Sequence, residues 1–275
     1  MCYSVIAETL TELKYALHRG DHHRAEELES KLAEIEIRKK KYFAEGEHKP
    51  LYFANGFSHP KLRTYTNIDP QEPQFFTWGL IPPWVKSDVD AKKIQNQTLN
   101  ARVESIFDKP SFRDAAKKTR CIIYVDGFFE YHTQGKKKYP FKIAPQNGEP
   151  LALAGLYSTW QNKETGDNTT TVSICTTRAN EIMAKIHNIP RDSEECRMPA
   201  ILAKELQDEW LMDVKTENDK KHLISLVDPF EDGYLEAYSV PQLIGKEGAG
   251  NSEKAMERKE YEDLELKFSA KNAGA

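Results

Sequence analysis

From residue 51 onward the chain reads as short apolar runs, many alternating with polar residues and broken by proline, glycine or asparagine, a pattern that predicts strands. The clearest lie at 74–78, 121–125, 139–143, 151–160 and 171–176. Helical spacing interrupts them at 111–118, 180–186 and 204–211. The beginning has a different texture. After an apolar start at 2–7, Thr9-Leu-Thr-Glu12 forms a capping box for a helix carrying Leu10, Leu13 and Leu17. Gly20 breaks that helix, and Asp21 caps a second one in which Leu28, Leu32, Ile35 and Tyr42 share a face. The expected fold class is α+β: a mainly antiparallel β-sheet or barrel core flanked by helices, with an N-terminal helical hairpin inserted at about 9–46. One domain over 1–240 is expected, followed by a polar tail at 241–275 with at most a marginal helix near 253–266.

At 275 residues the chain is long enough for a full-sized core. It has no apolar run approaching the about 18 residues that a membrane span needs. Glu8, Glu12 and Lys14 interrupt any signal-peptide core, so a cytoplasmic protein is expected, with no membrane partner. The four cysteines, at 2, 121, 175 and 196, are scattered without a C-x-x-C pair, which suggests neither a zinc site nor a disulfide framework. Cys121 and Cys175 sit in apolar strands and read as packing residues. A net charge of −4 argues against indiscriminate coating of duplex DNA. The charge is uneven, however: residues 85–142 hold thirteen Lys or Arg against seven Asp or Glu, a stretch on which a polyanion would dock.

Chemistry enters at the second residue. Removal of Met1 leaves Cys2 with a free α-amine, of ordinary pKa about 7.7–8.0, beside a thiol of about 8.5. That pair traps aldehydes, because the amine condenses to an imine and the thiol then closes a five-membered thiazolidine at high effective concentration. Further along, Gly127-Phe-Phe-Glu130-Tyr131 sets a carboxylate within an aromatic strand. Such an acid is ion-paired, exposed on an edge, or tuned by burial for general acid–base work. His187 ends a helix ahead of a proline-bounded loop, where it reads as a C-cap or as a proton-transfer group. The run Trp78-Gly-Leu-Ile-Pro82-Pro-Trp84 is either a packing cluster or an aromatic wedge for an unstacked base.

These segments, with Asn100-Ala-Arg102, Pro110-Ser-Phe-Arg113, Asp126-Gly-Phe-Phe-Glu130, Leu151-Ala-Leu-Ala-Gly155-Leu, Thr176-Thr177 and Arg197-Met-Pro199-Ala-Ile-Leu202, resemble the SOS-response-associated peptidase (SRAP) family of abasic-site-processing proteins. The resemblance covers most of 51–212. It implies that Cys2 captures the open aldehyde of an abasic site in single-stranded DNA as a thiazolidine. It also implies self-removal of Met1 and a weak lyase side reaction. By position it makes Glu130 the acid/base for sugar ring opening, Asn100 the amide that positions amine and sugar, and His187 the proton-transfer group at the imine. It implies phosphate contacts from Arg102, Arg113 and Arg197, and support of the displaced strand by Trp78. No metal or other cofactor is called for, since the electrophile is already an aldehyde.

Two departures stand out. The family commonly starts Met-Cys-Gly-Arg, whereas this chain has Tyr3 and Ser4, so an arginine phosphate contact at position 4 is missing. Residues 188–196 separate His187 from Arg197, where the family motif is nearly contiguous. Two other classes fit Cys2 less completely. An N-terminal-nucleophile amidohydrolase would turn over amides without an aldehyde, and a passive single-strand binding module would form no covalent species.

Overall fold

The computed structural model describes residues 4–7, 16–20, 22, 25, 26, 28, 29, 51–188 and 195–268. Cys2, most of the helical hairpin, 189–194 and 269–275 lie outside them. Twelve strands are named among the described residues: β1 (Ser4–Ala7), β2 (Leu51–Asn55), β3 (Lys61–Thr66), β4 (Gln74–Trp78), β5 (Asn100–Arg102), β6 (Arg120–Val125), β7 (Gly127–Gln134), β8 (Lys137–Pro145), β9 (Leu151–Gln161), β10 (Asn168–Arg178), β11 (Arg197–Pro199) and β12 (Leu235–Ser239). From residue 51 onward the α-helices named among the described residues are α1 (Asp88–Gln95), α2 (Arg113–Lys118), α3 (Glu181–Ile186), α4 (Gln207–Trp210) and α5 (Glu217–Ser225).

One sheet closes on itself. It runs β10-β4-β3-β6-β9, and β9 pairs back with β10, giving a five-stranded barrel that is antiparallel except at β10–β4. Closure removes the unpaired edges that open sheets must protect. β5 and β11 extend it, both pairing with β10. The second sheet has the order β12-β8-β7-β1-β2. An α+β fold built on a mainly antiparallel barrel is therefore what the pattern of the chain predicted.

Burial explains the arrangement. β6 is buried at all six positions, and its alternate side chains feed two clusters: Cys121, Ile123 and Val125 on one face, Ile122 and Tyr124 on the other. The first cluster joins the barrel to the second sheet through Phe128, Phe141 and Ile143, and the second is covered by Ala115, Ala116, Trp210 and Leu223. Gly155 is required where β9 crosses β6, because a Cβ there would lie 2.8 Å from Cys121 Sγ and 2.9 Å from Ile123 Cδ1. Burial pushes the Cys121 and Cys175 thiols up, so both are inert packing groups, as their strand positions implied.

Three local expectations change. The short run 197–199 forms a strand because it completes β10, and α1 and α5 are helices capped by Ser87 and Thr216 that apolar periodicity alone does not reveal. The stretch 204–211 divides into a 3-10 turn at Lys204–Leu206 and α4. The polar tail is not a tail over its described part. Leu243 and Ala255 are buried against Phe53 and Phe129, Leu264 joins the main core, and the marginal helix is a single 3-10 turn at Glu253–Met256. Of the hairpin, Ala16, Ala25 and Leu28 form a small apolar cluster around the turn at Gly20, whose φ of 75° suits glycine. Arg19 pairs with Asp208 at 2.9 Å, and His18 lies 3.6 Å from Glu149, which fastens the hairpin to the body.

Candidate active site

β7 and α3 build the site together. Glu130 is 9% exposed on β7, and its Oε1 accepts the Tyr131 N–H at 3.0 Å. Tyr131 faces the other side of the strand, and burial, followed by the Glu130 charge, pushes its hydroxyl up to about 12. The end of α3 is tied to this strand by three bonds. His132 Nδ1 lies 2.9 Å from the Lys185 carbonyl, the Thr133 N–H donates to Asn188 Oδ1 at 2.9 Å, and Asn188 Nδ2 donates to the Thr133 carbonyl at 2.8 Å. His187 sits between these anchors as the α3 C-cap, its N–H donating to the Met183 carbonyl.

The imidazole is half-buried. Its Nδ1 lies 3.3 Å from both the N–H and the carbonyl of Arg197. Burial pulls the His187 pKa below its ordinary value, and the Glu130 carboxylate and the Arg197 main chain oppose that pull without overcoming it. Neutral imidazole is therefore the dominant form near pH 7, the form that accepts a proton. Glu130 and His187, distant in sequence, thus share one electrostatic environment.

β10 brings the other residues to this place. Its Thr176 lies opposite Arg102 on β5 and opposite Pro199 on β11, with Arg178 opposite Arg197. Asn100 opens β5 opposite Ile174. Both the oxygen and the nitrogen of its carboxamide are buried without a hydrogen-bond partner among the described residues. Leaving such a group unsatisfied costs about 1–3 kcal/mol. Arg197 is 5% exposed, with Nη2 donating to Glu104 Oε1 at 3.1 Å, Glu104 Oε2 at 2.8 Å and the Thr176 carbonyl at 2.6 Å, and Nε donating to Thr176 Oγ1 at 3.3 Å.

Two residues stand apart. Trp78 is 0% exposed, its indole N–H donating to the Leu99 carbonyl at 2.8 Å, so it offers no face to a base and its expected support of a strand is corrected to core packing. The exposed aromatic of the same motif is Trp84, 51% exposed, with Nε1 bonded to the Pro110 carbonyl at 3.3 Å. Gly79, at φ 109° and with a would-be Cβ 2.7 Å from the Gln95 carbonyl, makes the turn that separates the buried tryptophan from the exposed one. Trp84 stands between two cavities of about 350 and 370 Å³, one including Lys118, the other Lys86 and Lys93. Arg113, at the start of α2, is exposed beside Asp114, which lines the first cavity. Glu104 ends the polar run Asn100-Ala-Arg-Val-Glu104, but its pairing with Arg197, 93 residues on, is not visible in the sequence. Among the described residues no group of three or more His, Cys, Asp or Glu gathers as a metal site, and no helix is long and apolar enough to cross a membrane.

The family model described as SOS response associated peptidase (SRAP) matches residues 13–247. The chain belongs to that family. The matched span begins after Cys2 and β1 and ends before Ala255 and Leu264. Among curated proteins, the abasic site processing protein YoqW of Bacillus subtilis is 40% identical over 168 residues, 61% of this chain and 68% of the relative. The abasic site processing protein HMCES of Gallus gallus is 32% identical over 154 residues, 49% of this chain and 43% of the relative. A crystal structure of a protein from Bacteroides thetaiotaomicron superposes with a TM-score of 0.68 at 35% identity, covering 76% of this chain and 85% of that one.

Proposed function

We propose that this SRAP protein processes abasic sites in single-stranded DNA by covalent capture through Cys2. The observation that carries the reading is the direction of β1. Val5 pairs with Phe128 and Ile6 with Gly127, antiparallel, so β1, followed back to its first residue Ser4, points along β7 in the direction of Glu130. Cys2 precedes Ser4 by two residues, and a free amine and thiol delivered there meet a buried carboxylate, a neutral imidazole and an unsatisfied amide.

The chemistry follows from those groups. Glu130 shuttles the proton between the anomeric hydroxyl and the ring oxygen, opening the sugar to its aldehyde. The neutral Cys2 amine adds to the carbonyl carbon, and loss of water gives the imine, with His187 moving the proton to the departing hydroxyl. The thiol then adds to the imine carbon, its proton passing to nitrogen, and the thiazolidine closes. Asn100 holds amine and sugar in register. Self-removal of Met1 by this site supplies the free amine. A minor branch is β-elimination of the 3′ phosphate from the imine, whose carbon acidifies the neighbouring C–H. An abasic strand left uncut after the imine is trapped rules that branch out.

Strand binding is assigned to the basic stretch of 85–142, with Arg102 and Arg113 as phosphate contacts and Trp84, flanked by lysines, as the stacking platform in place of Trp78. A phosphate reaching Arg197 has to share that guanidinium with Glu104.

The test is denaturing electrophoresis of Met1-processed protein mixed with a single-stranded oligonucleotide carrying one abasic site, beside an intact strand. A heat-stable adduct formed without reductant, confined to the abasic strand and absent in Cys2→Ala, is expected. Turnover of amides with no adduct would favour the amidohydrolase class instead.

A further inference from the structure

We propose that Glu104 is a positioning residue for His187, acting through Arg197; the inference rests on the role given to His187 above. β11 has three residues and, among the described residues, pairs with β10 alone, yet the main chain of its first residue provides two polar neighbours of the imidazole Nδ1. The ladder opposite Arg178 and the Ala179 N–H to the Cys196 carbonyl hold that residue's backbone, and its own side chain adds a second anchor. Glu104 takes Nη2 with both carboxylate oxygens while Thr176 takes Nη2 and Nε, so the guanidinium is fixed in position and in rotation. A fork held this way cannot swing without moving its backbone.

The asymmetry of the pair supports the assignment. The Arg197 side chain is 6% exposed and that of Glu104 41%, so the arginine is a buried charge whose counter-ion comes from the η turn just after β5 (Val103–Ser105). Removing the carboxylate leaves a buried cation uncompensated, and the guanidinium can relieve that only by pulling on the first residue of β11, the residue that faces the imidazole. The ring of His187 then loses the main-chain groups that orient it, whichever tautomer a given step requires. Arg197 Nη1, the remaining nitrogen of the fork, has no partner among the described residues.

A double-mutant cycle tests this on the full chain, with single-turnover capture of an abasic single-stranded oligonucleotide measured at saturating protein, beside affinity for the intact strand and thermal unfolding. Glu104→Ala is expected to slow capture about tenfold with intact-strand affinity changed less than twofold, and to add nothing in a His187→Ala background. Arg197→Lys, which keeps the charge and loses the fork, is expected to slow capture to the same extent. Should Glu104→Ala fail to fold, Glu104→Gln retains a neutral acceptor and serves in the same cycle. Equal slowing by Glu104→Ala in both backgrounds, or a loss of capture that follows a loss of strand affinity, overturns the inference while leaving covalent capture standing. If wild-type protein forms no adduct, the functional reading fails, and the inference with it.

Discussion

At the level of single residues, the decisive contrast is between groups that are buried and satisfied and groups that are buried and not. Trp78 belongs to the first kind and Asn100 to the second, although both sit in motifs of equal prominence in the sequence. Trp78→Ala should cost about 3–5 kcal/mol in chemical denaturation, as large core truncations do. Trp84→Ala should leave stability nearly unchanged and cost about 1–3 kcal/mol of strand affinity, the worth of one stacked base, read by a binding titration. His187 carries a pH prediction. Protonation of the Cys2 amine alone makes the logarithm of the capture rate rise with a slope of about one between pH 5 and 7.5. Burial lowers the His187 pKa below about 6.5, so the imidazole becomes protonated only at more acidic pH, and there the slope should steepen toward about two. His187→Ala should keep the single slope throughout.

At the scale of elements, what the chain makes legible is whatever its own local pattern decides. The strands at 121–125 and 151–157 are apolar runs buried on both faces, and their residues alone announce it, while 171–176 is buried throughout with polar threonine and serine among its apolar residues. β11 has no such pattern. It is a strand because β10 offers an open edge, and its importance lies in a main-chain contact that no side chain advertises. The segment after residue 241 misled for the opposite reason. Its Gly, Lys and Glu content is that of a solvated tail, but Leu243 and Ala255 pack on the second sheet, Leu264 joins the main core, and Lys137 pairs with Asp263. Leu264→Ala should destabilise the protein by about 2–5 kcal/mol in a denaturant titration, whereas a loose tail would give no change.

Across the whole molecule, the barrel is a frame that brings the start of the chain to residues from its middle and later parts. β1 enters between β2 and β7, α3 is pinned to β7, and β10 holds β5 on one side and β11 on the other, so that segments near residues 5, 100, 130, 187 and 197 converge. The sequence announced the residues of this site through their motifs, but not the convergence, which depends on barrel closure through β9–β10. The central claim is that this frame presents Cys2 to an aldehyde. Intact mass analysis of Met1-processed protein after incubation with an abasic single-stranded oligonucleotide tests it most directly. The account predicts a species one water lighter than the sum of protein and oligonucleotide, stable without reductant and absent with Cys2→Ala. Unmodified protein from a verified free Cys2, or the same adduct from Cys2→Ala, would contradict it.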